Sequence, residues 1–342
     1  MFKNIFKNDE WKRSEHMAVR ECVGYYLFTH QLMEVTGEEA NKFLDYVFPN
    51  NIATLAVGRD RYTTMLNEDG EIIDDVVVMR MDEDRYWVST LYGTKADDWF
   101  YYKSEGYDVE TYEITEDWHM FSIQGPKSKE VLNSILSNGV DDLKFFQNRT
   151  DEINGIEVIV NRAGFTGEKF GYEIYCGVDD ADDVQDAIDR AVKEAGGKEI
   201  TEFQVFAWTL PTEAGFYYMR DLAHTNPFEV GLEKNINWNK DFIGKEALLK
   251  IKENGPEREM LGFEVIDENE DFYIRAKQYG GPGEPIFIDG EEEEIGRVSK
   301  MVYSYVKDVN NGYMLVNKGK LHIGDKFKIH GYDCIVTEKN WL

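Results

Sequence analysis

Two adjacent carboxylates, Asp74 and Asp75, stand in a segment whose other residues belong to a strand. Tyr62 to Leu66 (YTTML) reads as one strand, Asn67-Glu68-Asp69-Gly70 as a tight turn, and Glu71 to Arg80 (EIIDDVVVMR) as the returning strand. Gly70 can take positive φ without a Cβ clash, and the β-branched run Val76-Val77-Val78 marks the second strand as buried. Successive strand residues face opposite sides of a sheet, so one of the two aspartates is expected to point inward. There it needs a cation or hydrogen-bond donors. The alternative is a solvated acid pair beside a turn. The 20 Tyr and 20 Phe residues fill a core first and can line a pocket for a flat ligand second. Metal chemistry is not expected: Cys22, Cys176 and Cys334 form no CxxC pair, and the six histidines include no HExxH or HxH spacing.

The elements that must position these residues follow from periodicity. Residues 1–20 form a polar, partly helical lead-in, and Cys22 to Val35 an aromatic-rich strand region. Glu38 to Val47 has helical spacing, with Ala40, Phe43, Leu44 and Val47 on one face. After the hairpin come a strand at Tyr86–Leu91, a helix at 95–105, a strand at Phe121–Gln124 and a helix opened by Pro126. Ile156–Arg162 and Tyr172–Cys176 are expected to pair across the glycine-rich turn 164–171, followed by a helix from Asp179 to Ala195. The order implies an α+β fold with antiparallel sheets. A boundary is expected at Glu253-Asn254-Gly255-Pro256, giving residues 1–253 as one region of two intertwined α+β units. Residues 256–342, with short strands and Gly/Pro turns, read as a small β-barrel. The chain has 342 residues, 42% hydrophobic, with 66 acidic against 38 basic residues and a formal charge of −28. That balance argues against nucleic-acid or anionic-membrane binding. With no apolar run long enough to span a bilayer and no signal-peptide core, a soluble cytoplasmic protein is expected. The sequon Asn148-Arg149-Thr150 is read as chance.

Three separated segments, LNEDGEIIDD (66–75), NRAGFTGEKFGYEIY (161–175) and NPFEVGLEKNINWNKDFIGKEAL (226–248), together resemble the glycine cleavage T-protein (aminomethyltransferase) family, which includes folate-dependent demethylases. SIQGPKSKEVL (122–132) and TEAG (212–215) extend the resemblance over nearly the whole chain from Val23. It implies a three-part ring around a central tetrahydrofolate site. Asp75 matches the second aspartate of the family's DD motif, beside the folate nitrogens, and Glu173 matches the glutamate that anchors the pterin. Phe165 takes the usual tyrosine position against the pterin, and Tyr62 joins this cofactor-binding set. A pterin edge offers an N–H and an amino group side by side, which a carboxylate accepts in bidentate fashion. Taken alone, Glu173 could equally be an outward-facing strand residue.

The departures bear on the reaction. Where the family's cleavage enzymes carry an arginine-rich ARDTLRLEAG-like stretch, this chain reads AWTLPTEAG (207–215), with Trp208 and Thr209 in place of Arg-Asp and Pro211 in place of the second Arg. Ser89 replaces an expected asparagine. Lys240 to Glu246 lacks the cysteine of the tRNA-maintenance branch. On this basis the leading expectation is a tetrahydrofolate-dependent methyltransferase that demethylates a small O-, S- or N-methyl donor. True aminomethyltransferase activity with a lipoylated H-protein is the alternative, the missing arginines counting against that partner. A non-catalytic folate-binding scaffold is the third. Asp75 and His30 are the candidate proton carriers, His30 having the alternative of a partly buried histidine bonded to backbone. Tyr26, Trp208, Tyr217, Tyr218 and Arg220 are the candidate substrate-side residues, with Arg59 and Arg61 as further candidates for an anionic group; surface ion pairing is the other role open to these arginines.

Overall fold

In a computed structural model, residues 2–3, 6–28, 31–267, 273–288 and 290–342 are described. Two antiparallel sheets and a barrel form the body. The first sheet holds the hairpin of Arg59–Leu66 and Ile72–Asp82, followed in spatial order by Arg85–Thr90, Gln31–Thr36 and Glu110–Glu113. The second runs from Lys198–Glu199 through Gly24–Leu27, Trp118–Gln124, Gly171–Gly177 and Ile156–Asn161 to Asn148–Ile153. Only its Lys198–Glu199 pairing with Gly24–Leu27 is parallel. Arg258–Val265, Val309–Asn317, Glu294–Ser304, Pro285–Phe287, Lys326–Ile329 and Tyr332–Thr337 close into a six-stranded barrel. The aromatic-rich stretch expected as one strand region divides between the sheets: Gly24–Leu27 lies in the second, Gln31–Thr36 in the first. Among the described residues, no helix is long and apolar enough to cross a membrane.

Each sheet has a helix-covered back. Ala40, Phe43, Leu44 and Val47 of the helix Ala40–Val47 bury against Met65, Val76, Val78 and Val88 of the hairpin sheet. On the second sheet, Val184, Ile188, Ala191 and Val192 of the helix Ala181–Glu194 cover Val158, Val160, Ile174 and Cys176. The two uncovered faces approach one another. Leu32, Met79 and Trp87 of the hairpin sheet share a cluster with Met120, Ile159 and Tyr175 of the second. Backbone bonds also tie the sheet edges together, Asn148 N to Gly58 O at 3.0 Å and Asp60 N to Phe146 O at 3.1 Å.

The hairpin turn is held from both sides. Asn67 Oδ1 accepts from the amides of Asp69 (3.1 Å) and Glu71 (2.9 Å), and Gly70 has φ +78°. Gly244, at φ +85°, presses onto the turn so closely that a Cβ would lie 2.6 Å from Asn67 O. Lys240, just before it, donates to the carbonyls of Asp45 and Phe48 at the C-terminal end of the helix Ala40–Val47, where a cation is favoured. Gly244→Ala therefore combines left-handed strain with a backbone clash. The expected cost is about 1–3 kcal/mol, seen as a melting temperature several degrees lower; an unchanged melting temperature would show that the turn moves aside freely.

Candidate functional site

Strand register places the two aspartates on opposite faces. Asp74 follows the alternation of Val76 and Val78 toward the helices, fully buried, where Thr90 Oγ1 donates to its Oδ2 and the Asp75 amide to its Oδ1 at 2.8 Å. Asp75 lies on the other face, with Val77 and Met79, toward the second sheet. Asp74 is thus withdrawn from solvent for structure, while Asp75, half-buried, faces the inter-sheet space. Tyr62 OH donates to Asp75 Oδ2 at 3.1 Å. Burial, and then the neighbouring Asp74 carboxylate, push Asp75 up to about 7. Asp221 contributes in the same sense. Its own carboxylate lies 2.8 Å from Lys300 Nζ of the barrel, both residues fully buried.

Across the second sheet, directly opposed residues form a polar row on the face turned toward Asp75: Asn148 opposite Asn161, Asn161 opposite Glu173, Glu173 opposite Ser122, and Ser122 opposite Tyr26. Glu173 is 7% exposed, and its Oε2 accepts both Asn161 Nδ2 (3.0 Å) and Tyr175 OH (3.1 Å). Burial raises its pKa to about 7. Ser89 of the hairpin sheet bonds to Tyr175, linking the two faces. The outward-facing alternative for Glu173 is therefore not the one adopted.

The sequence reasoning passed over a third carboxylate here. Asp60, two residues before Tyr62 in the same strand and 4% exposed, accepts from Asn148 Nδ2 at 2.5 Å. Its Oδ2 and Asn161 Oδ1 are buried with no hydrogen-bond partner among the described residues. Such unpaired acceptors cost about 1–3 kcal/mol each. Burial, against the Asn148 bond, and with Glu173 nearby, raises Asp60 to about 7. Extending the alternation back from Asp75's partner strand was the signal that could have found it. The same bond explains the sequon: Asn148 is a buried side chain, not a glycan acceptor.

Aromatic side chains continue the site. Tyr26 stacks on Phe206 at 4.8 Å, Phe165 meets Phe206 edge-on at 5.2 Å, and Trp208 contacts Phe203 and, from the barrel, Tyr279. The departing segment Val205–Thr209 is a π-helical turn, a feature common at functional sites. Thr209 points from it to His16 Nδ1 at 2.9 Å, and the Trp208 indole nitrogen is buried without a partner among the described residues. Tyr217 lies near Tyr62, its hydroxyl donating to Val230 O at 2.6 Å. Tyr218 and Arg220 flank Tyr92; Arg220 is exposed and donates to Gln278 O at 2.7 Å. Arg61 is engaged with Asn51 O. His30 lies outside the described residues.

Known proteins resemble this chain over most of its length. The family model described as the GCVT N-terminal domain matches residues 2–240. An aminomethyltransferase of Clostridium botulinum (strain ATCC 19397 / Type A) is 33% identical over 323 residues, and one of Thermotoga maritima 31% over 318. Each alignment covers 92% of this chain and 84% of the relative. The crystal structure of glycine cleavage system aminomethyltransferase T from Bartonella henselae superposes with a TM-score of 0.83 at 22% identity, covering 97% of this chain and 89% of that one.

Proposed function

The chain belongs to the GCVT aminomethyltransferase family of tetrahydrofolate-dependent one-carbon transferases, and on that premise we propose that it transfers the one-carbon unit of an aminomethyl group, carried by a lipoylated H-protein, to tetrahydrofolate with release of ammonia. The observation that supports this reading is the placement of Asp75 and Glu173 on facing sheets, Glu173 buried with Asn161 and Tyr175 as donors and Asp75 half-buried with the Tyr62 hydroxyl as donor. This order of preference reverses the one drawn from the missing arginines, because close to a third of residues match aminomethyltransferases along nearly the full chain.

When bound, tetrahydrofolate supplies the nitrogen that accepts the one-carbon unit. Glu173 suits the N–H edge of its pterin: Asn161 and Tyr175 hold Oε2, and Oε1 has no partner among the described residues. Hydrogen bonds to a charged acceptor contribute about 1.5–3 kcal/mol each. Phe165 offers an aromatic wall for the ring. Asp75, raised to about 7 and oriented by Tyr62, can take a proton from a nitrogen and return it to a leaving amine at neutral pH. Tyr26, Trp208, Tyr217 and Tyr218 are assigned to the donor side, and Arg220, being exposed, to its rim.

A second reading, transfer of a methyl group from a small O-, S- or N-methyl donor, is favoured by one observation. Thr209 is turned away to His16 and Pro211 is buried, so this turn presents the Trp208 ring where the family carries charged groups. Anaerobic incubation with tetrahydrofolate and aminomethyl-loaded H-protein separates the two. Ammonia and methylene-tetrahydrofolate in equal amounts are expected. Methyl-tetrahydrofolate formed only from methyl compounds, with no ammonia from H-protein, would establish the second reading instead.

A further inference from the structure

The polar row contains more acceptors than Glu173 alone supplies. Asp60 and Asn161 are 4% and 0% exposed, and the amide and hydroxyl donors recorded beside them are engaged. Asn148 Nδ2 goes to Asp60 Oδ1, while Asn161 Nδ2 and Tyr175 OH go to Glu173 Oε2. What remains buried and unpaired is acceptor only: Asp60 Oδ2 and Asn161 Oδ1, beside a Glu173 Oε1 with no partner among the described residues. Glu173 is close enough for Asp60 to feel its charge, and the Arg59 guanidinium acts on Asp60 in the opposite sense. The alternation of the strands aims both toward the space between the sheets, since Asp60 shares a face with Tyr62 and Asp75, and Asn161 with Glu173.

We propose that Asp60, with Asn161, is a second anchor for the pterin, so that its amino-pyrimidinone edge is held by two carboxylates and an amide oxygen instead of one glutamate. The inference rests on the folate reading of the site. That edge carries three hydrogens, one on the ring nitrogen and two on the exocyclic amino group, and the row offers three acceptor atoms to match them. An anionic or acceptor-rich ligand would be repelled from the same place. Asp60 is a positioning residue: it fixes the ring whose nitrogen must meet the one-carbon donor, and has no part in proton transfer.

The test is anaerobic titration of the full chain with tetrahydrofolate, alongside an analogue lacking the 2-amino group. Asp60→Asn keeps an oxygen for Asn148 but turns an NH₂ toward the ligand's own donors. It is expected to weaken tetrahydrofolate binding tenfold or more, to leave the melting temperature of the folate-free protein no lower, and to lose most of that penalty with the analogue. Asp60→Ala, which removes both oxygens, is expected to weaken binding in the same direction should the asparagine variant fold poorly. Binding within twofold of wild type in both variants, while Glu173→Gln is weakened, would overturn the inference and leave the folate reading standing. No binding by the wild type would remove the folate reading and the inference with it. Stoichiometric retention of calcium or magnesium by the folate-free protein, lost in Asp60→Asn, would overturn it in favour of a cation site.

Discussion

Asp75→Asn is expected to lower turnover by roughly 100- to 10,000-fold, the range a positioned acid–base group contributes, while tetrahydrofolate affinity changes by less than about threefold. The substitution keeps the shape and leaves an oxygen for the Tyr62 hydroxyl, 3.1 Å away in the wild type. It removes the proton-carrying function alone. Stability should move the other way. A carboxyl raised to about 7 from an ordinary 3.8, first by burial and then by Asp74, is ionised in the fold at a cost. Its favourable contribution is fully present below about pH 4 and is lost as pH rises to 7, so the folate-free wild type weakens between about pH 4 and 7. Asp75→Asn has no charge to acquire there and should melt at the same temperature or higher above pH 7. Falling activity with rising or constant stability marks a functional carboxylate. If both fell together, Asp75 would be a structural residue and the proton-transfer role would go to another group.

How far the sequence revealed this site depended on how local each signal was. Asp75 and Glu173 stood inside strands with buried apolar residues on alternate positions, so alternation alone raised the question of which face they take. The Ala40–Val47 helix and the pairing of Ile156–Asn161 with Gly171–Gly177 were legible for the same reason. Asp74 was harder: its burial on the helix side depends on Thr90, sixteen residues away. Asp60 is one alternation step before Tyr62, but its partner Asn148 is 88 residues distant, and only the joining of two sheet edges brings them together. The division of residues 24–36 between two sheets has no signature in hydropathy, because a strand's own pattern does not say which strands it pairs with. The replacement of charged residues at 208–211 was visible; that Thr209 would turn to His16, 193 residues away, was not.

That His16 contact belongs to the network expected to dominate stability. Glu213 is fully buried where the N-terminal helix, the 205–213 turn, the 166–168 loop and the barrel converge. Its Oε2 accepts from Arg20 Nε at 3.0 Å and lies 2.8 Å from His16 Nε2, while Oε1 accepts from Ser304 Oγ at 2.6 Å. Arg20 extends the network to Glu168 Oε1 at 2.5 Å and to the carbonyls of Thr166 and Leu210. Burial acts to raise the Glu213 carboxyl, but His16, Arg20 and Ser304 outweigh it and hold the group at about 2, against an ordinary 4.5. Burial lowers the His16 imidazole despite the pull of Glu213, so the lasting positive charge is Arg20, which does not titrate. A depressed carboxylate stabilises the fold above its unfolded value and loses that contribution as pH falls through its folded one. The shift corresponds to about 3 kcal/mol, lost between about pH 4.5 and 2. Glu213→Gln preserves hydrogen bonding but strands a buried guanidinium, for which about 3–5 kcal/mol is the usual penalty. The difference in unfolding free energy between wild type and Glu213→Gln should therefore be largest at pH 5 and above and close toward pH 2. Four carboxylates outside this network that burial raises, Asp60, Asp74, Asp75 and Glu173, act in the opposite sense, favouring the fold as pH drops below 7. Because both proteins carry them, they cancel in the comparison. A difference that stays constant from pH 7 to 2 would show that the network is held by packing and not by the charge on Glu213.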